Sequence, residues 1–206
     1  MRWFIIIDIT SPKVFQVTSI GNHAFEGCSS PTSIVIPDSV TSIGDFAFSK
    51  CSSLTSIVIP DSVTSIGESA FEGCTNLSNI KLSDNITELQ PYTFQNCISL
   101  KTIIIPDSVT KIIGGVFWNT GLESITIPAN VTSMSAAFQD CRKLSTIISL
   151  APVAGELNGD YGTISNMGAD VEGEKILQVP KNATGYDSYP WSSFASAGYT
   201  RKYMEE

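Results

Sequence analysis

Cys28, Cys51, Cys74 and Cys97 stand 23 residues apart, and the same interval separates Phe25, Phe48, Phe71 and Phe94, and Leu54, Leu77 and Leu100. A fixed period of this length is the mark of a solenoid, in which each unit buries its apolar side only by stacking on its neighbours. The stretch from Leu54 reads LTSIVIPDSVTSIGESAFEGC and the one from Leu77 reads LSNIKLSDNITELQPYTFQNC: the apolar positions are kept and the polar ones change. What has been copied is an interior, not a site.

Within a unit the pattern changes period. Ile57 and Ile59 alternate with Val58, as in a strand. Pro60 ends that strand, because it has no N–H to give to a ladder. Asp61 and Ser62 form a turn, Val63 and Ile66 open a second short extended piece, and Ala70–Phe71 return the chain to the core. Stacking such coils about 4.8 Å apart predicts right-handed turns with a parallel sheet on the concave face. The leucine positions mark coils at 33–54, 55–77, 78–100, 101–122 and 123–144, preceded by a partial unit, and over the last two the interval between leucines is one residue shorter. Thr120–Gly121 fall where a thiol is expected, and Pro31 replaces the first leucine.

The units IPDSVTSIGDFAFSKCSSL and IPDSVTSIGESAFEGCTNL resemble the BspA-like (Treponema pallidum-type) class of leucine-rich repeats over about Val17 to Leu150, and ILQVPKNATGYDSYPWSSF is similar to the segment that closes such arrays. The resemblance implies a leucine-rich repeat solenoid of the α/β horseshoe class, mainly β in content. It also implies a secreted or surface-displayed bacterial or protist protein that adheres to a host extracellular-matrix or cell-surface protein, and no enzymatic activity.

Three segments follow: an irregular N-terminal repeat or cap over 1–28, the array over 29–150, and a C-terminal part over 151–206. Phe4–Ile7 reads as an edge strand of the first repeat or as a truncated start; the apolar run is shorter than a secretion signal needs and no cleavage site follows. In the last part, Leu157–Gly173 is rich in Gly, Asn and Asp and is expected to be a loop, with Lys175–Val179 as the last rung. Tyr186, Tyr189, Trp191 and Phe194 are expected to plug the open end of the core, the alternative being an aromatic ligand cluster.

Only 16% of the chain is charged and its formal net charge is −8, so no basic stripe exists to hold a nucleic acid. No apolar run approaches the roughly 20 residues of a transmembrane helix. Five cysteines admit a zinc site, disulfides or buried thiols; a 23-residue ladder lays them side by side, which suits neither tetrahedral ligation nor disulfide torsion and favours the thiol. Asp38, Asp61, Asp84 and Asp107 form a second ladder. Hydrogen bonds from the N–H groups of each acid's own turn are expected to offset their repulsion, a row of weak Ca2+ contacts being the alternative. His23, the single histidine, sits on a turn, and none of the familiar catalytic motifs occurs. We expect no enzyme and no cofactor.

Function must then lie in the surface. Val35, Val58, Lys81, Ile104, Thr126 and Ile148 occupy the outward position between buried residues and are the candidate protein-binding face, with Ser33, Ser56, Asn79, Thr102, Ser124 and Thr146 beside them. Strand propensity alone also accounts for exposed Val and Ile. Trp118 replaces polar counterparts Ser49, Glu72 and Gln95 and is expected to be exposed, as a contact for protein or glycan. The leading expectation is a non-catalytic adhesion or protein-interaction module; a repeat spacer presenting another binding region, or a glycan binder, are the alternatives.

Overall fold

A computed structural model describes residues 16–153, 156–157, 165–187 and 191–205. Phe4–Ile7 and Tyr189 lie outside the described residues. The chain is a solenoid of about seven turns, and each turn has three sides.

The first side carries the longer strands β2 (Ser33–Val35), β4 (Ser56–Val58), β6 (Asn79–Lys81), β9 (Ser124–Ile127), β11 (Thr146–Ser149), β13 (Lys175–Val179) and β14 (Tyr199–Tyr203). The second carries β1 (Ser19–Ile20), β3 (Ser42–Ile43), β5 (Ser65–Ile66), β7 (Glu88–Leu89), β8 (Lys111–Ile112), β10 (Ser133–Met134) and β12 (Glu156–Leu157). All pairings are parallel, and Ile34, Ile57 and Ile80 stand in register, as do Ile20, Ile43 and Ile66. The alternation of the sequence explains the placement: Ile57 and Ile59 point into the core while Val58 points out.

The third side is a column of turns, and it joins the coils most continuously. Phe48, Phe71 and Phe94 donate their N–H to the carbonyls of Ala70, Thr93 and Val116 in the next coil, each bond 2.8–3.0 Å long. These bonds need backbone N–H groups aimed along the solenoid axis, and each coil provides the geometry with residues in the left-handed region. His23, Phe46, Ser69 and Tyr92 lie there at φ 53–58°, and Lys50, Asn96, Asn119 and Asp140 form a second such column. Such a conformation costs a non-glycine residue about 1–2 kcal/mol, offset by the inter-coil bonds it makes possible.

The core is a set of ladders. Phe25, Phe48, Phe71, Phe94, Phe117 and Phe138 stack with ring centroids 5.3–5.9 Å apart, and all but Phe25 are fully buried. The cysteines are unpaired, yet they are more than small apolar fillers. The Sγ–H of Cys51, Cys74, Cys97 and Cys141 donates to the carbonyl oxygen of Phe25, Phe48, Phe71 and Phe117, at 2.9–3.2 Å. Thr120 takes the missing thiol's place, donates to Phe117 O at 3.0 Å and meets Cys141 Sγ at 3.3 Å. Gly121 beside it is obligatory, since a Cβ there would strike the carbonyl of Ile98.

In the course of the coils the structure differs from the sequence expectations in three places. Lys175–Val179 is not the last rung: β14 pairs beyond it, Ile176 with Thr200 and Gln178 with Lys202. Of the expected loop Leu157–Gly173, residues 158–164 lie outside the described residues. On either side of them Glu156–Leu157 pairs with Ser133–Met134 and Met167 is buried in the core, so both flanks belong to a further coil. That coil escapes the period because its strand lies 30 residues after its partner, Thr146 to Ile176. Finally, the first side is not one continuous sheet. Lys101–Ile105 buries Ile103 and Ile105 like any rung, but its backbone forms no strand, which leaves β2–β4–β6 and β9–β11–β13–β14 as separate sheets.

The C-terminal end is closed by aromatics. Tyr186, Trp191, Phe194 and Tyr199 are all buried, in ring contact at 4.8–6.0 Å; α1 (Ser193–Ser196) carries Phe194. The Tyr186 hydroxyl meets Ser149 Oγ at 2.6 Å and donates to Ala151 O, and Tyr199 donates to Leu144 O.

Candidate functional site

Outward positions on the first side follow from strand alternation, and the structure places the row accordingly. Val35 is 91% exposed, Val58 59% and Ile104 85%; Lys81 and Thr126 are exposed, while Ile148 is half-buried. Strand register continues the row beyond the residues read from sequence, through Gln178 and Lys202. Those two were hidden because the coils that carry them depart from the 23-residue interval. Val35, Val58 and Ile104 are thus three large apolar side chains aligned on one face, where isolated exposure would need no explanation.

An acidic column runs beside the row, because Asp38, Asp61, Asp84 and Asp107 follow the outward residues of their own coils by three positions, and all four are exposed. The expectation that each takes N–H groups of its own turn is corrected for Asp61, the one whose side-chain bond runs between coils: its Oδ1 accepts the N–H of Asp84 at 3.1 Å. The geometry is a consequence of parallel stacking, which lays the turn of one coil over the turn of the next. Lys81 Nζ reaches the same Asp61 Oδ1 at 3.6 Å. Among the described residues no cation lies against Asp38, Asp84 or Asp107.

Trp118 is a correction. It is half-buried, its Nε1–H donates to Asp140 Oδ2 at 3.0 Å, and its ring leans on Tyr92 with centroids 6.2 Å apart. Asp140 also accepts from Asn166 Nδ2 at 2.6 Å. The indole therefore ties coils together rather than standing open to a ligand. His23 is exposed, stacks on Phe46 at 5.0 Å and bonds Glu26 Oε2 at 2.6 Å; this contact holds the Glu26 carboxyl below its ordinary range.

Two concavities accompany these features. A cleft of about 360 Å3 lined by Val17, Ile20, Phe25, Ile34 and Ile36 is the end of the apolar core at the first described coils. A shallow groove of about 540 Å3 on the second side is lined by Asn22, Asp45, Glu68 and Gln90. There Asn22 and Asp45 spend a side-chain oxygen on the N–H of the next coil, both at 2.9 Å. Neither concavity sets a nucleophile against a base. Among the described residues no group of three or more His, Cys, Asp or Glu is placed to hold a metal ion, and no helix is long and apolar enough to cross a membrane.

Comparison with known proteins agrees with this geometry. The family model described as "BspA type Leucine rich repeat region" matches residues 18–145 in six copies. A leucine rich cell surface protein from Faecalibacterium prausnitzii is 37% identical with a TM-score of 0.53; the match covers 66% of this chain and 35% of that one. The chain thus corresponds to about a third of that protein's length. The Treponema pallidum leucine rich repeat protein matches over 91% of both chains at 22% identity and a TM-score of 0.54. The pneumococcal vaccine antigen PcpA matches over 85% of this chain and 42% of its own at 18% identity, with a TM-score of 0.60. At such identities the last two speak for the fold alone. Curated protein sequences give no match.

Proposed function

Because the chain belongs to the BspA-type leucine-rich repeat family, we propose that it is a non-catalytic adhesion or protein-interaction module displayed at the cell surface. It binds a host extracellular-matrix or cell-surface protein through the outward row of the first side. The observation that carries this reading is the alignment of Val35, Val58 and Ile104, all exposed, on the first side. The description of the F. prausnitzii relative as a cell surface protein supports the location. The glycan reading loses its ground with the bonded, half-buried Trp118.

The test is capture of extracellular-matrix proteins by the wild type and by a Val58→Lys/Ile104→Lys double variant, beside a glycan array. The double variant keeps its circular dichroism and melting temperature, since both side chains point away from the core, and loses the captured protein. Unchanged capture, or glycan binding lost on Trp118→Ala, overturns the reading.

A further inference from the structure

The column of aspartates has one member whose environment shows what the others lack. Lys81 occupies the outward row, and from there its ammonium reaches Asp61 Oδ1 across to the neighbouring coil at 3.6 Å. Asp61 and Lys81 are 20 residues apart, and the same offset leads from Asp38 to Val58 and from Asp84 to Ile104. In the shorter coil that follows, the outward residue comes 19 positions after Asp107 and is Thr126. At three of four steps, then, the acid faces an uncharged residue in the row, and no described cation answers it. Lys81 acts as an internal template: it shows that a positive charge lying on this face comes to rest on the acidic column.

We propose that the outward row receives a cationic stretch of the partner, an extended segment whose Lys or Arg side chains settle on Asp38, Asp84 and Asp107 while its apolar side chains cover Val35, Val58 and Ile104. The assignment rests on the docking face put forward above and adds the chemistry of its occupant. Apolar cover supplies the contact area, and the acids choose the sign of the partner and speed its approach. At physiological salt the field of the column reaches only about 8 Å, so the selection operates at contact.

The test uses a fluorescein-labelled peptide of alternating Lys and Val, with an alternating Glu–Val peptide as its counterpart, read by fluorescence anisotropy at low and high salt. The wild type binds the first and not the second. An Asp38→Asn/Asp84→Asn/Asp107→Asn variant binds about tenfold more weakly, because three exposed ion pairs, each weak alone, are lost together, and shows a flatter salt dependence. Val58→Lys/Ile104→Lys also loses the peptide, because the new lysines occupy Asp38 and Asp84 as Lys81 occupies Asp61. A Glu68→Gln/Asp170→Asn/Asp187→Asn variant, matched in net charge, is unchanged. Equal weakening by that control, indifference to salt, or no binding of the Lys–Val peptide overturns the proposal. With a captured protein the two readings separate. Loss on Val58→Lys/Ile104→Lys without loss on the triple Asn variant sinks the cationic partner and leaves the face, whereas loss on neither sinks the face.

Discussion

A thiol in this array is held by its hydrogen bond and by its burial at once. The cysteines Cys51, Cys74, Cys97 and Cys141 donate to a phenylalanine carbonyl of the coil before, whereas Thr120, in the same position, turns its hydroxyl to Phe117 O of its own coil. Burial resists ionisation: Cys51 and Cys141 are pushed up to about 11 and Cys74 to about 12, from an ordinary value of 9.0. Above pH 9 the unfolded chain gives up these protons while the folded chain keeps them. Stability is therefore full below pH 9 and falls as pH rises through 11 to 12, by about 1.4 kcal/mol per pH unit for each thiol. Urea midpoints between pH 8 and 11 test this, with Cys74→Ala giving a shallower decline; an identical slope in the two proteins would contradict it. The sequence revealed the ladder at once, yet not the donor role, because spacing places a side chain without showing which carbonyl lies over it.

Elements here are rungs, and their worth comes from neighbours. Phe71 stacks on Phe48 at 5.3 Å and on Phe94 at 5.8 Å, so Phe71→Ala removes contacts from two coils besides its own. A loss of about 3–5 kcal/mol is expected, against about 0.5 kcal/mol for exposed His23→Ala; chemical denaturation compares them, and equal losses would invert the assignment of inner and outer positions. The rung at Lys101–Ile105 marks how far pattern reading goes. Its sequence TIIIP matches SIVIP of other coils, and burial of Ile103 and Ile105 follows from it. The missing ladder does not follow, since apolar alternation dictates which side chains turn inward and says nothing of whether two backbones approach to bonding distance. Trp118 was misjudged for a related reason: its polar counterparts suggested exposure, whereas Asp140, its partner, stands 22 residues away.

At the scale of the molecule, stability is close to a sum of coils and their interfaces, so the closed end matters out of proportion to its size. Trp191 is buried between Tyr186 and Phe194, and Trp191→Ala is expected to cost about 3–5 kcal/mol, locally. Hydrogen exchange should then accelerate in Lys175–Val179 and Tyr199–Tyr203 while Ser33–Lys81 keeps its protection; a uniform loss would show one cooperative block instead. The closing aromatics were legible in part, Tyr186, Trp191 and Phe194 by type and position. Tyr199 and its strand were not, because YTRKY offers one inward apolar side chain among charged ones. The interrupted rung has a mechanical consequence for a tether between two surfaces. Across Lys101–Ile105 the first side adds no strand pair, so tension along the axis falls there on the second side, where Glu88 and Leu89 pair with Lys111 and Ile112, and on the turn column, where Tyr92, Phe94 and Asn96 hold Gly114, Val116 and Trp118. Loaded on its first side, the array is expected to open at that step first.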